Sequence, residues 1–298
     1  MNSKDEPDSV GGNTIFVIYK DHSGGLWLGT NNGLDRYDSL SNRFIHHHHQ
    51  PTVRNSLSND RVYEIYEDFN GVLWVGTFGG GLNKYNRQQD NFAYYRNNLE
   101  DPNSLSADIV FPILVDAEGT VWIGVSNGGL NRFDPQTGQF THYRHDASDP
   151  ASLGSDDLIA LESDHTGFLW IGTNRSLERF DPSTGKFTRF VPDSSVPSSL
   201  SGGPIFVIHE DRKQNLWIGT GHGLDLFDPA TQSFIHYKPK NESNGFTGNS
   251  ITAILDDAQG NLWVGTFDDG LKRISPDQAS FKSYKNDLSI PSSLGNDS

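Results

Sequence analysis

Apolar residues along this chain fall in short runs separated by polar turns rich in Gly, Asn and Asp. One run recurs six times: an aliphatic residue, Trp, an aliphatic residue, Gly, then Thr or Val. The copies are Leu26–Thr30, Leu73–Thr77, Val121–Val125, Leu169–Thr173, Leu216–Thr220 and Leu262–Thr266. All six Trp of the chain lie in these runs, at spacings of 47, 48, 48, 47 and 46 residues. A fixed period of that length marks a repeat architecture, which has to be settled before any other reading.

The second copy shows the unit most clearly. Residues 62–68 are rich in β-branched and aromatic side chains and predict a first strand. Asp68-Phe69-Asn70-Gly71 predicts a tight turn into the Trp run, the second strand. Gly79-Gly80-Gly81 turns the chain back into a third strand at 82–85, and a turn at 87–91 leads to a fourth at 92–95. The same grammar recurs throughout. The first strand closes on Asp21, Asp68, Asp116, Asp164, Asp211 and Asp257. The next turn carries Gly in every copy except the fifth, where Gln214 stands in its place. The third strand opens on Gly-Leu except in the fourth copy, which has Ser176-Leu177. The fourth strand carries Phe44, Phe92, Phe140, Phe187, Phe234 and Phe281.

Four short antiparallel strands joined by tight turns make one small sheet. The Trp run is apolar on both faces, as a strand between two neighbouring sheets has to be. The Gly beside each Trp predicts a notch for a large ring from the next sheet. Radial stacking buries both faces and leaves only short edges, so the expected fold is all-β: a β-propeller of six four-stranded blades. A solenoid is the alternative, but its repeats are usually shorter. The blades are expected at about 9–55, 56–103, 104–151, 152–198, 199–244 and 245–292, after a frayed polar tail at 1–8. Residues 293–298 match the lead-in at 56–61, as though a seventh unit were beginning. Both a closed six-blade ring and six blades of a seven-bladed propeller fit, and the second lead-in suggests a fragment of a longer array.

Composition removes several functions. The net charge of −15 argues against nucleic acid and against an anionic membrane surface as partners. With no Cys there are no disulfides, thiolate metal sites or Cys nucleophiles. No run approaches the ~20 apolar residues of a membrane span, so no direct membrane insertion is expected. The start of the chain lacks the features of a signal peptide, which leaves a cytoplasmic protein or a piece of an exported one.

The run Leu-Trp-Ile-Gly-Thr, then Gly-Leu-Asn-Arg-Phe-Asp-Pro, then Thr-Gly-x-Phe, resembles the two-component regulator propeller repeat. The Ser-Leu-Ser lead-in and the Asp-x-x-Gly turn agree, and the resemblance covers residues 9–298. It implies seven-bladed propellers, often in tandem, in the extracytoplasmic, periplasmic part of bacterial sensors. There a membrane helix and a histidine kinase or diguanylate cyclase output follow, and many members sense carbohydrate fragments. The implied function is a non-catalytic sensory module binding a small molecule or oligosaccharide, with a homodimer formed through the parent sensor. This chain departs in having six copies and no membrane helix, kinase or immunoglobulin-like segment.

Candidate chemistry is sparse. His46-His47-His48-His49 occupies the place of a fourth strand running into a loop, where alternate side chains face opposite ways, so no metal site is expected. The Asp68–Gly71 turn lacks the further acids of a calcium loop. Gly79–Gly81 lacks the Lys-Ser/Thr of a phosphate loop, and no cofactor motif is present. No nucleophile elbow exists. Two alternatives stand beside the sensor: a propeller lyase resembling streptogramin or glycan lyases, and a protein-interaction scaffold.

The loops that differ between copies are more informative than the strands that repeat. After the second strands they carry Asn31, Asn32, Phe78, Asn127, Asn174, Arg175, His222, Phe267, Asp268 and Asp269. The loops leading into the first strands, which open on the same face of a propeller, carry Asp60, Arg61, Asp156 and Asp157. Amides, carboxylates, Arg and exposed Phe suit a sugar: aromatic faces for C–H surfaces, planar polar groups for hydroxyls. These residues are the expected ligand site, at the mouth of the central channel, and a neutral oligosaccharide is the first choice of ligand.

Overall fold

A computed structural model of the chain describes residues 9–237, 250–277, 281–287, 289–290 and 292–294. The predicted tail at 1–8 and the last residues of the seventh lead-in, 295–298, lie outside the described residues. The fold is a β-propeller with six blades, each a four-stranded antiparallel sheet whose strands follow one another in chain order. The described residues contain no helix. Two compact units divide the chain: residues 1–145 with 155–158, and 146–154 with 159–298.

The Trp run is the second strand of every blade. Trp27, Trp74, Trp122, Trp170 and Trp217 are buried. A buried indole N–H needs an acceptor, and one device supplies it six times. The Asp that closes the first strand accepts the indole hydrogen bond: Asp21 from Trp27 at 2.9 Å, Asp68 from Trp74 at 3.1 Å, Asp116 from Trp122 at 2.8 Å. Asp164, Asp211 and Asp257 do the same for Trp170, Trp217 and Trp263, at 2.7, 2.9 and 2.9 Å. The other carboxylate oxygen accepts a backbone N–H four residues on, as with Val72 to Asp68 at 3.0 Å. One side chain therefore closes the hairpin and fixes the ring. Asp257, held by Trp263, Asn261 and the turn, has its carboxyl lowered to about 2. Gln214 adopts a φ of 65°, doing the work of the Gly found in the other copies.

The Gly beside each Trp does provide a notch, but an aliphatic side chain fills it rather than a ring. A Cβ on Gly29 would meet Val17 and Val62, one on Gly76 would meet Val110, and one on Gly172 would meet Ile205. At these three Gly the neighbour across the notch is the β-branched start of the next first strand, and at Gly124 Pro112 and Leu158 fill the notch. The rings meet elsewhere: Trp27 packs edge-on to Tyr85, Trp74 to Phe133 and Trp170 to Phe227, on the third strand of the following blade. In the tetra-His stretch, His47 takes the place that Tyr95, Tyr143 and Phe190 hold elsewhere, stacked on Trp27. Burial pushes its imidazole below the ordinary histidine range.

Candidate functional site

In the first unit, the expected site residues divide into scaffold and exposed groups. Asp60 is scaffold: its carboxylate accepts the backbone N–H of His49 at 2.6 Å, and its carbonyl accepts that of Gly33 at 2.6 Å. Asp156 repeats this clamp, with its carboxylate on His145 N–H at 2.7 Å and its carbonyl on Gly129 N–H at 3.0 Å. Asp108 is a third instance, on Asn97 and Gly81. Asp157 accepts from Ser126 Oγ at 2.7 Å and from the Asn127 N–H at 2.9 Å, which holds Asn127 at a φ of 59°. Asn32 donates to the Gly11 carbonyl at 2.8 Å, and Asn31 accepts from the Thr14 N–H at 3.2 Å. These side chains are occupied in joining loops.

Arg61 and Phe78 come together. The guanidinium lies 4.2 Å from the Phe78 ring centroid and donates to the Tyr63 hydroxyl at 2.9 Å. No carboxylate pairs with Arg61 among the described residues, although the chain carries 38 acids against 23 bases. Tyr63 stacks on Phe16 at 4.2 Å, and Phe111 meets Tyr63 edge-on at 5.3 Å. Phe16, Tyr63 and Phe111 are each the second residue of a first strand, and all three are half-buried. Each sits at a break in ladder register, between Ile15 and Val17, between Val62 and Glu64, and opposite the step from Ile123 to Val125. Such bulges re-aim a side chain out of the sheet. The result is an aromatic wall across three blades with a cation beside its middle ring, Tyr63.

Sequence reasoning missed Phe16, Tyr63 and Phe111, because a strand rich in aromatics reads as core. The available signal was their shared phase: one aromatic at the same repeat position in consecutive copies. On the same strand as Tyr63, burial raises the Glu64 carboxyl to about 8, which keeps it protonated at neutral pH.

In the second unit, Asn174 and Arg175 are exposed on their loop, where Arg175 donates its N–H to Thr173 Oγ1 at 3.2 Å. Phe267 and Asp268 are exposed. Asp269 is committed to ion pairs with the buried Lys272 and with Lys285, which hold its carboxyl below the usual range. His222 is exposed at the rim of a cavity, its Nδ1 3.4 Å from the Ser201 carbonyl. Nearby, Ser201, His236 and Asp225 meet, but not as a catalytic triad. Ser201 Oγ and Asp225 Oδ1 both lie on the same ring nitrogen, Nδ1, at 2.8 and 2.7 Å. Nε2 is 3.0 Å from the Pro197 carbonyl, so no base stands between acid and hydroxyl. Among the described residues, no group of three or more His, Cys, Asp or Glu could hold a metal ion. No helix there is long and apolar enough to cross a membrane.

Comparison with known proteins now identifies the repeat. The two-component regulator propeller family matches residues 9–32, 56–79, 199–222 and 245–268, the opening stretches of the first, second, fifth and sixth copies. Four of the six copies therefore match the two-component regulator propeller family over their opening stretches. The extracellular domain of a putative hybrid two-component system from B. thetaiotaomicron superposes over 100% of the chain, with a TM-score of 0.84 and 28% identity. The chain spans 38% of that domain's length. PorZ, a surface component of the type-IX secretion system of Porphyromonas gingivalis, covers 93% of the chain at 19% identity and TM-score 0.71, with 42% of its own length matched. Virginiamycin B lyase from Staphylococcus aureus covers 92% of the chain at 17% identity and TM-score 0.67, with 85% of its own length matched. At those identities the last two share the fold alone. No curated protein matches the chain.

Proposed function

We propose that this chain is a non-catalytic sensory module of a bacterial signal-transduction protein, extracytoplasmic and periplasmic, and that it recognises a carbohydrate fragment. The observation that carries the reading is the wall of Phe16, Tyr63 and Phe111 with Arg61 stacked on Phe78. Half-exposed ring faces match the C–H surfaces of a pyranose, and the Tyr63 hydroxyl and Arg61 N–H groups match its oxygens. The likeness to an extracellular domain of a hybrid two-component system supports the setting. The ligand is the module's small-molecule partner, and the signal passes through the parent protein, as a homodimer.

The test is titration of the chain with oligosaccharides, read by thermal shift and by product analysis. A saturable rise in Tm without turnover is expected, lost when Arg61→Ala is combined with Phe78→Ala in a variant that keeps its fold. Binding that survives the pair removes the wall from the reading. Unsaturated products accumulating with time move the assignment to a lyase.

A further inference from the structure

Four blades end their third strand on an Asp that caps the turn to the fourth: Asp38, Asp134, Asp181 and Asp228. Asp134, for example, accepts from the Gln136 N–H and from the Thr137 hydroxyl, each at 2.8 Å. The second blade has Asn86 in that place, and it makes the same cap, accepting the Gln88 and Gln89 N–H groups at 3.0 and 3.1 Å. The structural task is kept while the charge is removed, and where an Asp has a second acceptor the amide presents a donor. The charge matters to the residue two places earlier. Lys84 lies over the ring of Trp74 at 5.5 Å, as Arg36 lies over Trp27 at 5.7 Å and Arg132 over Trp122 at 5.9 Å. In the first blade the Ser41 hydroxyl and the Leu40 N–H hold the Asp38 carboxyl below its usual range, and the charge of Arg36 adds to this. In the third the Gln136 N–H and the Thr137 hydroxyl do so for Asp134, and Arg132 adds to it. Those two cations have an acid beside them. Lys84, half-buried, pairs with no carboxylate among the described residues.

Lys84 borders a cavity of about 690 Å3, inside the range of small-molecule sites, about 300–1,000 Å3. Asn70, Asn86 and Gln88 supply amide edges, while Val72, Ala93 and Tyr95 supply apolar faces. Among the described residues no acid lines it, although the chain carries 38. The one acid of the adjoining turn, Asp90, accepts from the Tyr85 hydroxyl at 2.6 Å. Arg87 also lines the cavity, but its guanidinium is held by Asp21 at 2.9 Å and by Glu67 at 2.6 Å. The equivalent hollow of the third blade, about 290 Å3, is different: Glu118 and Asp134 line it together with Arg132, so its charge is already met. In the second blade one ammonium group stands against an indole with amides around it and apolar surface beyond. A carboxylate matches the ammonium and the amide donors, and an apolar body matches the rest.

We propose that this cavity of the second blade binds a small organic monoanion, a single carboxylate carried on a short aliphatic or aromatic body. The site goes beyond the function proposed above and does not need the aromatic wall to be right. A lone cation sets the charge: a dianion such as a phosphate monoester brings a second charge with no partner there. Position within the repeat argues the same way. Asp makes this cap in four other blades, so the turn by itself does not call for the neutral residue.

The experiment is a saturation-transfer NMR titration with thermal shift on the full chain in low salt. Phenylacetate and hexanoate are presented at up to about 10 mM, which covers a millimolar Kd. Benzyl alcohol and benzylamine carry a ring without the charge or with the opposite one, and acetate carries the charge without the apolar body. Phenylacetate or hexanoate should give saturation transfer and a rise in Tm, and the three counterparts should give less. Asn86→Asp keeps the cap, restores the charge found in the other blades and should weaken binding by about fivefold, with the Tm of the free chain unchanged. Lys84→Met keeps a side chain over Trp74 without the charge and should weaken binding by about tenfold. Arg61→Ala with Phe78→Ala should leave it unchanged. The proposal is overturned if neither acid responds, if any of the three counterparts binds as well, or if either Asn86→Asp or Lys84→Met binds as the parent does. Binding lost only with the Arg61 and Phe78 pair would move the anion to the wall, so the two sites fail separately.

Discussion

Two positions that lie almost side by side in every blade solve the burial problem in opposite ways. Trp27 pairs in register with Arg36, and Leu28, its neighbour, with Asp35. At the Trp, all six blades use one solution, the indole on an Asp six residues earlier. At the Asp35 position they use Asp35, Asn83, Asn131, Glu178, Asp225 and Lys272, every one buried. Each finds its own partner. Asp35 faces His46 at 2.7 Å and Asp225 faces His236 at 2.7 Å, while Glu178 takes Arg189 at 3.1 Å, all across the third and fourth strands. Asn83 and Asn131 need no cation and instead hold Ser58 and Ser106 of the lead-in, each at 2.7 Å. Lys272 reverses the sign and is met by Asp269. The buried polar residue also pins the lead-in backbone, as with Gly11 N–H to Asp35 at 2.6 Å and Ser201 N–H to Asp225 at 2.8 Å. What repeats there is the demand for satisfaction, not the residue that meets it.

The largest effect is expected at the uniform position. Trp170→Ala removes a fully buried ring that packs on Phe190 and Phe227, and should cost about 3–5 kcal/mol in denaturant unfolding. Asp68→Ala leaves the Trp74 N–H and two turn N–H groups without their acceptor and should cost about 2–3 kcal/mol. If Asp68→Ala proved neutral, the pin would be ornament rather than structure.

The variable position can be tested by transplantation. Glu178→Ala leaves Arg189, which is about a third exposed, without its carboxylate and should cost about 2 kcal/mol, less than the ~3–5 kcal/mol of a fully buried pair because water reaches the guanidinium. Installing the third blade's set in the fourth, as Gly154→Ser with Glu178→Asn and Arg189→His, should recover most of that loss. The nearest obstacles to a Cβ at position 154 are the Glu178 and Arg189 side chains, which the exchange removes. If the transplanted set were no more stable than Glu178→Ala alone, the blades would not be interchangeable at this position.

Legibility in the sequence follows the same division. The six blades, their strand order and the turn Asp were readable because identical residues recur in phase. The third-strand position was not, because Asp35, Asn83 and Lys272 share burial and no chemistry. The expected site suffered from the same limit in reverse. Variation between loops selected Asp60 and Asp156, yet their carboxylates serve the linker clamp, and their sameness with Asp108 was the clue. Variation also selected Arg61 and Phe78, which do meet, and His222, which stands at the rim of a cavity. Phe16, Tyr63 and Phe111 were hidden because strand alternation cannot register a bulge.

The smallest expected effect distinguishes an acid with an Arg or His side chain facing it across the sheet from one without. Asp35, Glu178 and Asp225 face His46, Arg189 and His236. Glu64 and Glu162, on first strands, have no cationic partner among the described residues, and burial lifts both carboxyls from an ordinary 4.5 to about 8. The folded chain therefore keeps a proton on each that the unfolded chain loses above about pH 4.5. Stability contributed by the neutral acid is present below the unfolded value and declines as pH rises toward the folded one. A tenfold change in proton affinity corresponds to about 1.4 kcal/mol at full strength, but water reaches part of both side chains, so a fall of about 1 kcal/mol per group between pH 5 and pH 8 is expected. Glu64→Gln keeps the shape and cannot ionise, so it should flatten its share of that fall and gain on the parent chain as pH rises. Glu178→Gln breaks a pair instead and should lose stability across the same range. Parallel pH profiles for Glu64→Gln and the parent would mean that Glu64 is already ionised and solvated in the fold, and the contrast between paired and unpaired acids would then not hold.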